Sequence, residues 1–137
     1  MGSHARALEI GLTRALHVRE ERLSPRPDAC RLLYISDIHL RKGRSDSLFR
    51  QVLDSVTRAD PDVVLLGGDL VDSASELSAL RDLVGKLKAL APVLAIAGNH
   101  DRQLGLDLVR EAVADGGGHW IHDGLARVRH GGRVIVV

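Results

Sequence analysis

Three short, largely apolar runs, each followed directly by a polar cluster, dominate the hydrophobic pattern of the chain. The runs and their clusters are Leu32-Leu33-Tyr34-Ile35-Ser36 before Asp37-Ile38-His39, Val63-Val64-Leu65-Leu66 before Gly67-Gly68-Asp69-Leu70-Val71-Asp72, and Val93-Leu94-Ala95-Ile96-Ala97 before Gly98-Asn99-His100-Asp101. Runs of this kind predict strands that are buried on both faces of a sheet. The polar clusters should therefore mark where the chain leaves the core.

The spacing of the clusters indicates parallel neighbouring strands. Asp37 and Asp69 lie 32 residues apart, and Asp69 and Asn99 lie 30 residues apart. Each separation is about the length of one strand-helix-strand unit, whose two strands run parallel. Because ligands bind at the carboxyl ends of strands in open α/β sheets, we expect the clusters to share one site.

Helical periodicity between the runs completes the pattern. One helix is expected after Ser45 or Asp46 and another after Ser73 or Ser75, because these residue types cap helix N-termini. A third is expected over about residues 104–115. The apolar stripes of the first two helices are Leu48, Phe49, Val52, Leu53, Val56 and Leu77, Leu80, Leu83, Val84, Leu87. The predicted fold class is α/β, a layered sheet with a βαβαβ core and flanking helices.

The flanking segments predict further strands. Residues 5–23 alternate apolar and polar positions in places, which suggests one or two edge strands. Residues 119–122 predict a short strand. Residues 125–130 and 133–137 flank Gly131-Gly132 in the manner of a hairpin.

We expect a single domain over residues 1–137, because a chain of this length with 45% apolar content can bury one core. The βαβαβα core would cover residues 31–115, and the strand and hairpin would cover residues 119–137. Since the last strand stops on four apolar residues, Val134 to Val137, we expect a truncated domain that lacks its C-terminal half.

Charge and cysteine content exclude several classes of protein. With 19 Lys+Arg against 18 Asp+Glu, no charge excess indicates nucleic acid or a membrane surface as a partner. The single Cys30 excludes an intrachain disulfide and a cysteine zinc site. No apolar run approaches a membrane span or a signal-peptide core, so we expect a soluble, cytoplasmic protein.

The first two clusters contain groups that bind divalent metals. Asp37 and His39 offer an oxygen and a nitrogen ligand two residues apart, which an extended strand end places on one side. Such a pair is also typical of helix caps and solvated loops. Asp69 follows two glycines, and its two carboxylate oxygens can bridge two ions. Asp72 can orient a neighbour or cap the following helix.

The third cluster adds an amide and an imidazole. Asn99 offers a neutral oxygen to a second ion, or occupies a left-handed turn. His100 cannot easily share that ion with its neighbour, so it is free to serve the substrate as an acid or as a donor to a phosphate oxygen. The basic loop Arg41-Lys42-Gly43-Arg44 either receives a phosphate or is solvated.

Together the Asp-x-His, Gly-Asp-x-x-Asp and Gly-Asn-His-Asp motifs, each after a predicted buried strand, resemble the calcineurin-like metallophosphoesterase family. The resemblance covers about residues 31–124, the N-terminal half of such a domain, and Gly-Asn-His-Asp is its most specific motif. The residues Ser36 to Leu40 look like the bacterial branch of small phosphohydrolases and lipid-A-precursor pyrophosphatases. The resemblance implies half of a four-layer α/β/β/α sandwich.

The resemblance also implies a dinuclear metal site. Asp37 and His39 would bind the first ion. Asp69 would bridge both ions, and Asn99 would bind the second. Manganese, iron and zinc all suit such ligands, so the ligand types do not select the metal.

The implied reaction is hydrolysis of a phosphomonoester, phosphodiester or pyrophosphate by a metal-bridging hydroxide. His100 would act near the leaving group, with Asp72 or Asp101 as orienting support. The expected substrate is a small-molecule or lipid-head-group phosphoester. The residues that select it lie in variable loops and are not recognisable here.

The family's later histidine ligands have no counterpart in the sequence. His119, His122 and His130 are expected to be surface or hairpin residues, because a separation of three points the first two to opposite faces of a strand. We therefore expect an incomplete ligand set, weak metal binding and low or absent turnover, unless a second chain supplies ligands.

Two other interpretations remain open. In the first, the chain is a non-catalytic α/β module that holds a Mg²⁺-like ion or a partner through Asp37, Asp69 and Asp72. That interpretation leaves the two histidines and the asparagine of the clusters without a purpose. In the second, the C-terminal strand pairs across two chains and forms a homodimer.

Overall fold

The computed structural model describes Leu16, residues 18–41 and residues 45–137. The strands are β1 Leu32–Ile35, β2 Val63–Leu66, β3 Val93–Ala95, β4 His119–Trp120, β5 Arg127–His130 and β6 Arg133–Val136. The helices are α1 Ser45–Ala59, α2 Leu77–Lys88, α3 Asn99–Leu104 and α4 Leu106–Asp115, with a 3₁₀ turn at Ala74–Glu76. Among these helices, none combines the length and the apolar content that a membrane crossing requires.

The first four strands form one parallel sheet in the order β1-β2-β3-β4, which confirms the predicted α/β class. Leu33 lies opposite Val64, and Leu65 lies opposite Leu94. Strands that are consecutive in the chain are therefore neighbours in the sheet, joined through helices. Since all four run in one direction, the carboxyl ends of β1, β2 and β3 meet at a single edge.

One face of the sheet packs against the helices. Val64 and Leu66 of β2 belong to this layer, whereas Val63 lies on the opposite face, as the two-residue period of a strand requires. The buried helical residues of the layer are Phe49, Val52 and Val56 of α1, Leu80, Leu83, Val84 and Leu87 of α2, and Val109, Ala112 and Val113 of α4. Burial of each large apolar side chain contributes about 1.5–3 kcal/mol. The layer therefore holds the strand ends rigidly in place.

The other face is covered in part by the antiparallel hairpin β5-β6, which confirms the predicted hairpin. Ala126 and Ile135 pack there against Val63 and Leu94 of the central strands. On β1 the prediction of burial on both faces is wrong, because Leu32 and Tyr34 are 48% and 53% exposed. The hairpin reaches β2 and β3 and leaves this face of β1 open.

The predicted third helix, over about residues 104–115, corresponds to α4, and it is preceded by a further helix, α3, that was not predicted. Gly105 has φ 128°, a conformation outside the helical range, and it separates α3 from α4. Its N–H donates to the carbonyl of Asp101, which closes the last turn of α3. As a result, the cluster after β3 does not form a loop: Asn99, His100 and Asp101 are the first residues of a helix.

Two further predictions about segment ends need correction. Neither Ser73 nor Ser75 caps α2, because the 3₁₀ turn precedes that helix and Glu76 occupies its N-cap position without a side-chain bond. Leu16 and residues 18–23 form no strand, and the rest of the predicted edge strands over residues 5–23 lie outside the described residues. The same holds for residues 42–44 of the basic loop.

Candidate metal site

The chain segments that follow β1 and β2 lie side by side at the carboxyl edge of the sheet. The N–H of His39 donates to the carbonyl of Asp69 at 3.0 Å, and the N–H of Asp72 donates to the carbonyl of Leu40 at 3.0 Å. These bonds continue the parallel pairing of β1 and β2 beyond the strands. The two sequence clusters are therefore joined through their backbones.

Unusual backbone conformations concentrate at this edge. Asp37, His39 and Asp69 have φ values of 57°, 47° and 52°, and they are three of the four non-glycine residues with positive φ in the described part of the chain. The prediction that the backbone is extended at Asp37 and His39 is therefore wrong. A left-handed residue costs about 1–2 kcal/mol, and aspartate and histidine are among the residue types that tolerate it best.

Glycines allow the segment after β2 to approach the segment after β3. Gly68 has φ 97°, and a Cβ atom there would lie 2.5 Å from the backbone nitrogen of Gly98. A Cβ atom at Gly98 would overlap the carboxylate and the backbone nitrogen of Asp69. Because Gly98 itself has an ordinary φ of −101°, it is required for space and not for backbone freedom.

We expect Gly98→Ala to displace Asp69 and to destabilise the protein by about 1–3 kcal/mol, the usual cost of overpacking. Gly85→Ala is the matched control, because a Cβ atom there meets only the carbonyl of Gly116 at 3.8 Å inside α2. Helix propensity predicts that this control gains up to about 1 kcal/mol. Urea unfolding of both variants checks the prediction, and equal stabilities would contradict it.

Three side chains converge in front of this edge. His39, Asp69 and His100 each offer one ligand atom, and these atoms lie within 4.8 Å of one another. The two imidazole rings meet edge to face, with their centroids 4.8 Å apart and an angle of 82° between their planes. Ligand atoms of one ion bound at about 2.1 Å can be at most about 4.2 Å apart. A small inward movement of these side chains therefore suffices to bind an ion.

Asp69 is held in its ionised form. The backbone N–H of His100 donates to Oδ1 of Asp69 at 3.0 Å, and this bond lowers the pKa of the carboxyl group most strongly. Burial raises that pKa, while the imidazoles of His100 and His39 lower it further, with the net result below the usual value. Nδ1 of His100 lies 3.5 Å from the same oxygen. A carboxylate that stays charged is suited to bind a cation.

His39 is oriented by a second carboxylate. Its Nδ1 lies 2.6 Å from Oδ1 of Asp72, a distance at which the N–H tautomer donates to the carboxylate. Metal-binding histidines commonly donate one ring nitrogen to a carboxylate in this way, which leaves the other nitrogen free for the ion. Of the roles expected for Asp72, the structure shows the orientation of a neighbouring residue, and that residue is His39.

Asp101 is fully buried, with 0% of its surface exposed. Its Oδ2 accepts the backbone N–H groups of Gly98 and Asp69, both at 2.8 Å, and its Oδ1 accepts that of Leu70 at 2.9 Å. The carboxylate therefore ties the start of α3 to the segment after β2. It supports Asp69 through the backbone and does not orient the imidazole of His100 as predicted.

The remaining predicted residues lie at the margin of the site. Asp37 is exposed and accepts the hydroxyl of Ser36 at 2.5 Å. Among the described residues, the cluster of possible metal ligands contains His39, Asp69 and His100 and does not include Asp37. Asn99 is the exposed first residue of α3, so its predicted role as a ligand stays a prediction.

The later histidines do not join the cluster. His119 lies on β4 at the opposite edge of the sheet, His130 lies on the hairpin, and His122 is exposed between them. The one cysteine, Cys30, is exposed and free.

Sequence reasoning missed the true positions of two supporting carboxylates. The family resemblance implied that Asp72 or Asp101 supports His100, although Asp72 belongs to a different motif from His100. The signal that could have identified Asp101 was its place three residues after Gly98, since an acid at the third helical position commonly accepts the N–H of the residue before the helix. No local pattern indicates that Asp72 contacts His39, 33 residues away.

Comparison with known sequences identifies relatives of this fold and site. The family model described as calcineurin-like phosphoesterase matches residues 30–132. Phosphodiesterase YaeI of Escherichia coli (strain K12) is 34% identical over 79 residues, which cover 56% of this chain and 29% of that protein. The UDP-2,3-diacylglucosamine pyrophosphatase LpxG of Chlamydia muridarum is 30% identical over 73 residues, which cover 52% of this chain and 22% of that protein.

A transmembrane protein with metallophosphoesterase domain from Danio rerio is 34% identical over 82 residues, 59% of this chain and 19% of that protein. Among solved structures, the nuclease MPE of Pseudomonas putida matches with a TM-score of 0.51 and 19% identity, over 66% of this chain and 46% of that chain. This likeness confirms the fold. The chain spans less than a third of the length of the curated relatives it matches.

Proposed function

The chain belongs to the calcineurin-like phosphoesterase family, and on this premise we propose that it hydrolyses phosphoesters with a divalent metal ion bound by His39, Asp69 and His100. The observation that carries the proposal is the convergence of these three side chains within 4.8 Å at the carboxyl edge of the sheet. That edge is where open α/β sheets bind their ligands.

The residues present fit a divalent ion. Two imidazole nitrogens and one ionised carboxylate form a donor set that suits zinc, manganese or iron. A bound ion would act as a Lewis acid on a phosphoryl oxygen. The described cluster supports one ion. The family resemblance adds Asp37 as a further ligand of this first ion, and a second ion bound by Asn99 and shared through Asp69.

The chain's own groups have distinct tasks in this proposal. Asp69 keeps its negative charge, and Asp72 holds the ring of His39 in one orientation. His100 has a side chain that is 54% exposed, so the ion that it would bind stays accessible to a substrate. Two relatives are named as a phosphodiesterase and a pyrophosphatase, which supports a phosphodiester or pyrophosphate substrate.

The test is hydrolysis of bis(p-nitrophenyl) phosphate and p-nitrophenyl phosphate by the full chain with and without Mn²⁺. Because the ligand set within the chain is incomplete, we expect slow nitrophenolate release that requires Mn²⁺, stops when EDTA removes the ion and returns when Mn²⁺ is restored. A rate that EDTA leaves unchanged would overturn the proposal. Calorimetric Mn²⁺ binding without any hydrolysis would instead favour the non-catalytic module.

Two further proposals accompany this function. A homodimer through the C-terminal strand is supported by Val134 and Val136 of β6, which are 55% and 52% exposed. A cytoplasmic location rests on the sequence alone and stays a prediction.

A further inference from the structure

A cleft lies at the edge of the sheet opposite the metal site. It has a volume of about 450 Å³ and is formed by the end of α2, the first residues of β3 and β4, and strand β5. Val93 and His119 are the first residues of their strands, whereas the metal site follows the last residues of β1, β2 and β3. The two sites are thus separated by the length of the sheet.

The lining of this cleft is basic. Four of its residues are cationic or can become so, namely Lys88, His119, Arg129 and His130, and no aspartate or glutamate lines it. Within the described residues, none of these four side chains forms a salt bridge. Because the whole chain has a formal net charge of only +1, the cleft is a local concentration of positive charge.

The side chain of Lys88 lies close to a glycine of the cleft wall. Gly117 has φ 86°, and a Cβ atom there would lie 2.8 Å from Cδ and 3.4 Å from Nζ of Lys88. The lysine side chain therefore lies over the glycine backbone. Lys88 is also in the last turn of α2, where a cation offsets the helix dipole, so its charge alone does not prove a ligand.

The rest of the wall is apolar. Leu90 is 41% exposed, and Pro92 and Val128 line the same cleft. Exposed apolar groups beside cations that form no salt bridge among the described residues suit a ligand that carries both an anionic group and an apolar body. A doubly charged phosphate pairs with several cations better than a neutral polar group does.

We propose that this cleft binds a small organic phosphate, with its phosphate on the basic residues and its apolar group on Leu90 and Pro92. The proposal is independent of the metal site and of the proposed hydrolysis. Its test is therefore made on the metal-free protein.

The test is a titration of the ¹⁵N-labelled full chain with phenyl phosphate in the presence of EDTA, followed by amide NMR. We expect saturable shifts at Leu90, Gly117 and His119 and no shifts at Asp69 or His100. Phenol, which lacks the phosphate, should leave the cleft amides unchanged. No shifts up to about 10 mM, a concentration that saturates a site with a Kd near 1 mM, would overturn the proposal. Shifts confined to Asp69 and His100 would also overturn it.

Variants separate ligand binding from the helix-dipole role of Lys88. We expect Lys88→Gln to weaken phenyl phosphate binding roughly tenfold, because one charge-assisted hydrogen bond is lost. Arg129→Gln should also weaken the binding. Lys86→Gln is the matched control, because it removes a charge from the same last turn of α2 without lining the cleft. Equal changes of phenyl phosphate affinity in Lys88→Gln and Lys86→Gln would show that Lys88 only stabilises the end of α2 and does not bind the phosphate.

Discussion

Replacement of Asp101 by alanine is expected to destabilise the folded protein by about 4 kcal/mol, because it leaves one buried and two partly buried backbone N–H groups without their acceptor, at about 1–3 kcal/mol each. These groups belong to Gly98, Asp69 and Leu70. A loss of this size is a large fraction of the about 5–15 kcal/mol that keeps a typical domain folded. Urea unfolding at neutral pH measures it.

Asp101→Asn refines the same prediction. The amide keeps one acceptor oxygen, so the variant should retain the bonds from Gly98 and Asp69 and lose that from Leu70, at a cost of about 2 kcal/mol. Asp115→Ala, an exposed aspartate at the end of α4, is the control and should change stability by less than about 0.5 kcal/mol. If Asp101→Ala were as stable as this control, the role of Asp101 as a backbone anchor would be wrong.

The second large effect is expected from Asp69→Asn, which should weaken Mn²⁺ binding about 100-fold or more and reduce hydrolysis to background. The carboxylate has an oxygen within 4.8 Å of a ring nitrogen of His39 and of His100, and it supplies the negative charge of the cluster. Even residues that only orient a ligand cost about 10–100-fold in metal affinity when they are replaced. Isothermal titration with Mn²⁺ and the nitrophenyl assay measure the two effects.

Two further variants make the result specific. Asp72→Asn should weaken Mn²⁺ binding less than Asp69→Asn, because Asp72 acts through the orientation of His39. Asp123→Asn removes a charge from a side chain that is 95% exposed and should leave binding unchanged. Circular dichroism confirms that each variant is folded. Unaltered Mn²⁺ affinity in Asp69→Asn would contradict the assignment of the metal site.

The strands and helices were accessible to sequence reasoning because their signals are local. The continuous apolar run from Val63 to Leu66 predicts a buried strand. The apolar residues from Leu80 to Leu87 recur at helical spacing and predict a helix. The C-terminal ends of three parallel strands then had to meet at one edge. For the same reason, His39, Asp69 and His100 could be predicted to lie together, although they belong to separate motifs.

The contacts that hold the metal-site residues in place could not be predicted from local sequence patterns. Asp69 and Asp101 are 32 residues apart, and the bond between them depends on how closely the chain after β2 approaches α3. That approach depends in turn on Gly98, which has an ordinary φ. The close approach requires glycine there because a Cβ atom would overlap Asp69. These distances cannot be derived from the composition or the periodicity of the sequence.

Local pattern was thus enough to establish the α/β class, the strand order of a βαβαβ core and the family motif at Asn99 and His100. Three-dimensional packing established that Asp72 serves His39, that Asp101 anchors the backbone and that Asp37 lies outside the described ligand cluster. The difference between what the sequence predicts and what packing decides has a physical cause. Periodicity reports which face of an element is buried, whereas the direction of a polar side chain depends on backbone torsions such as the φ of 57° at Asp37 and on partners distant in the chain.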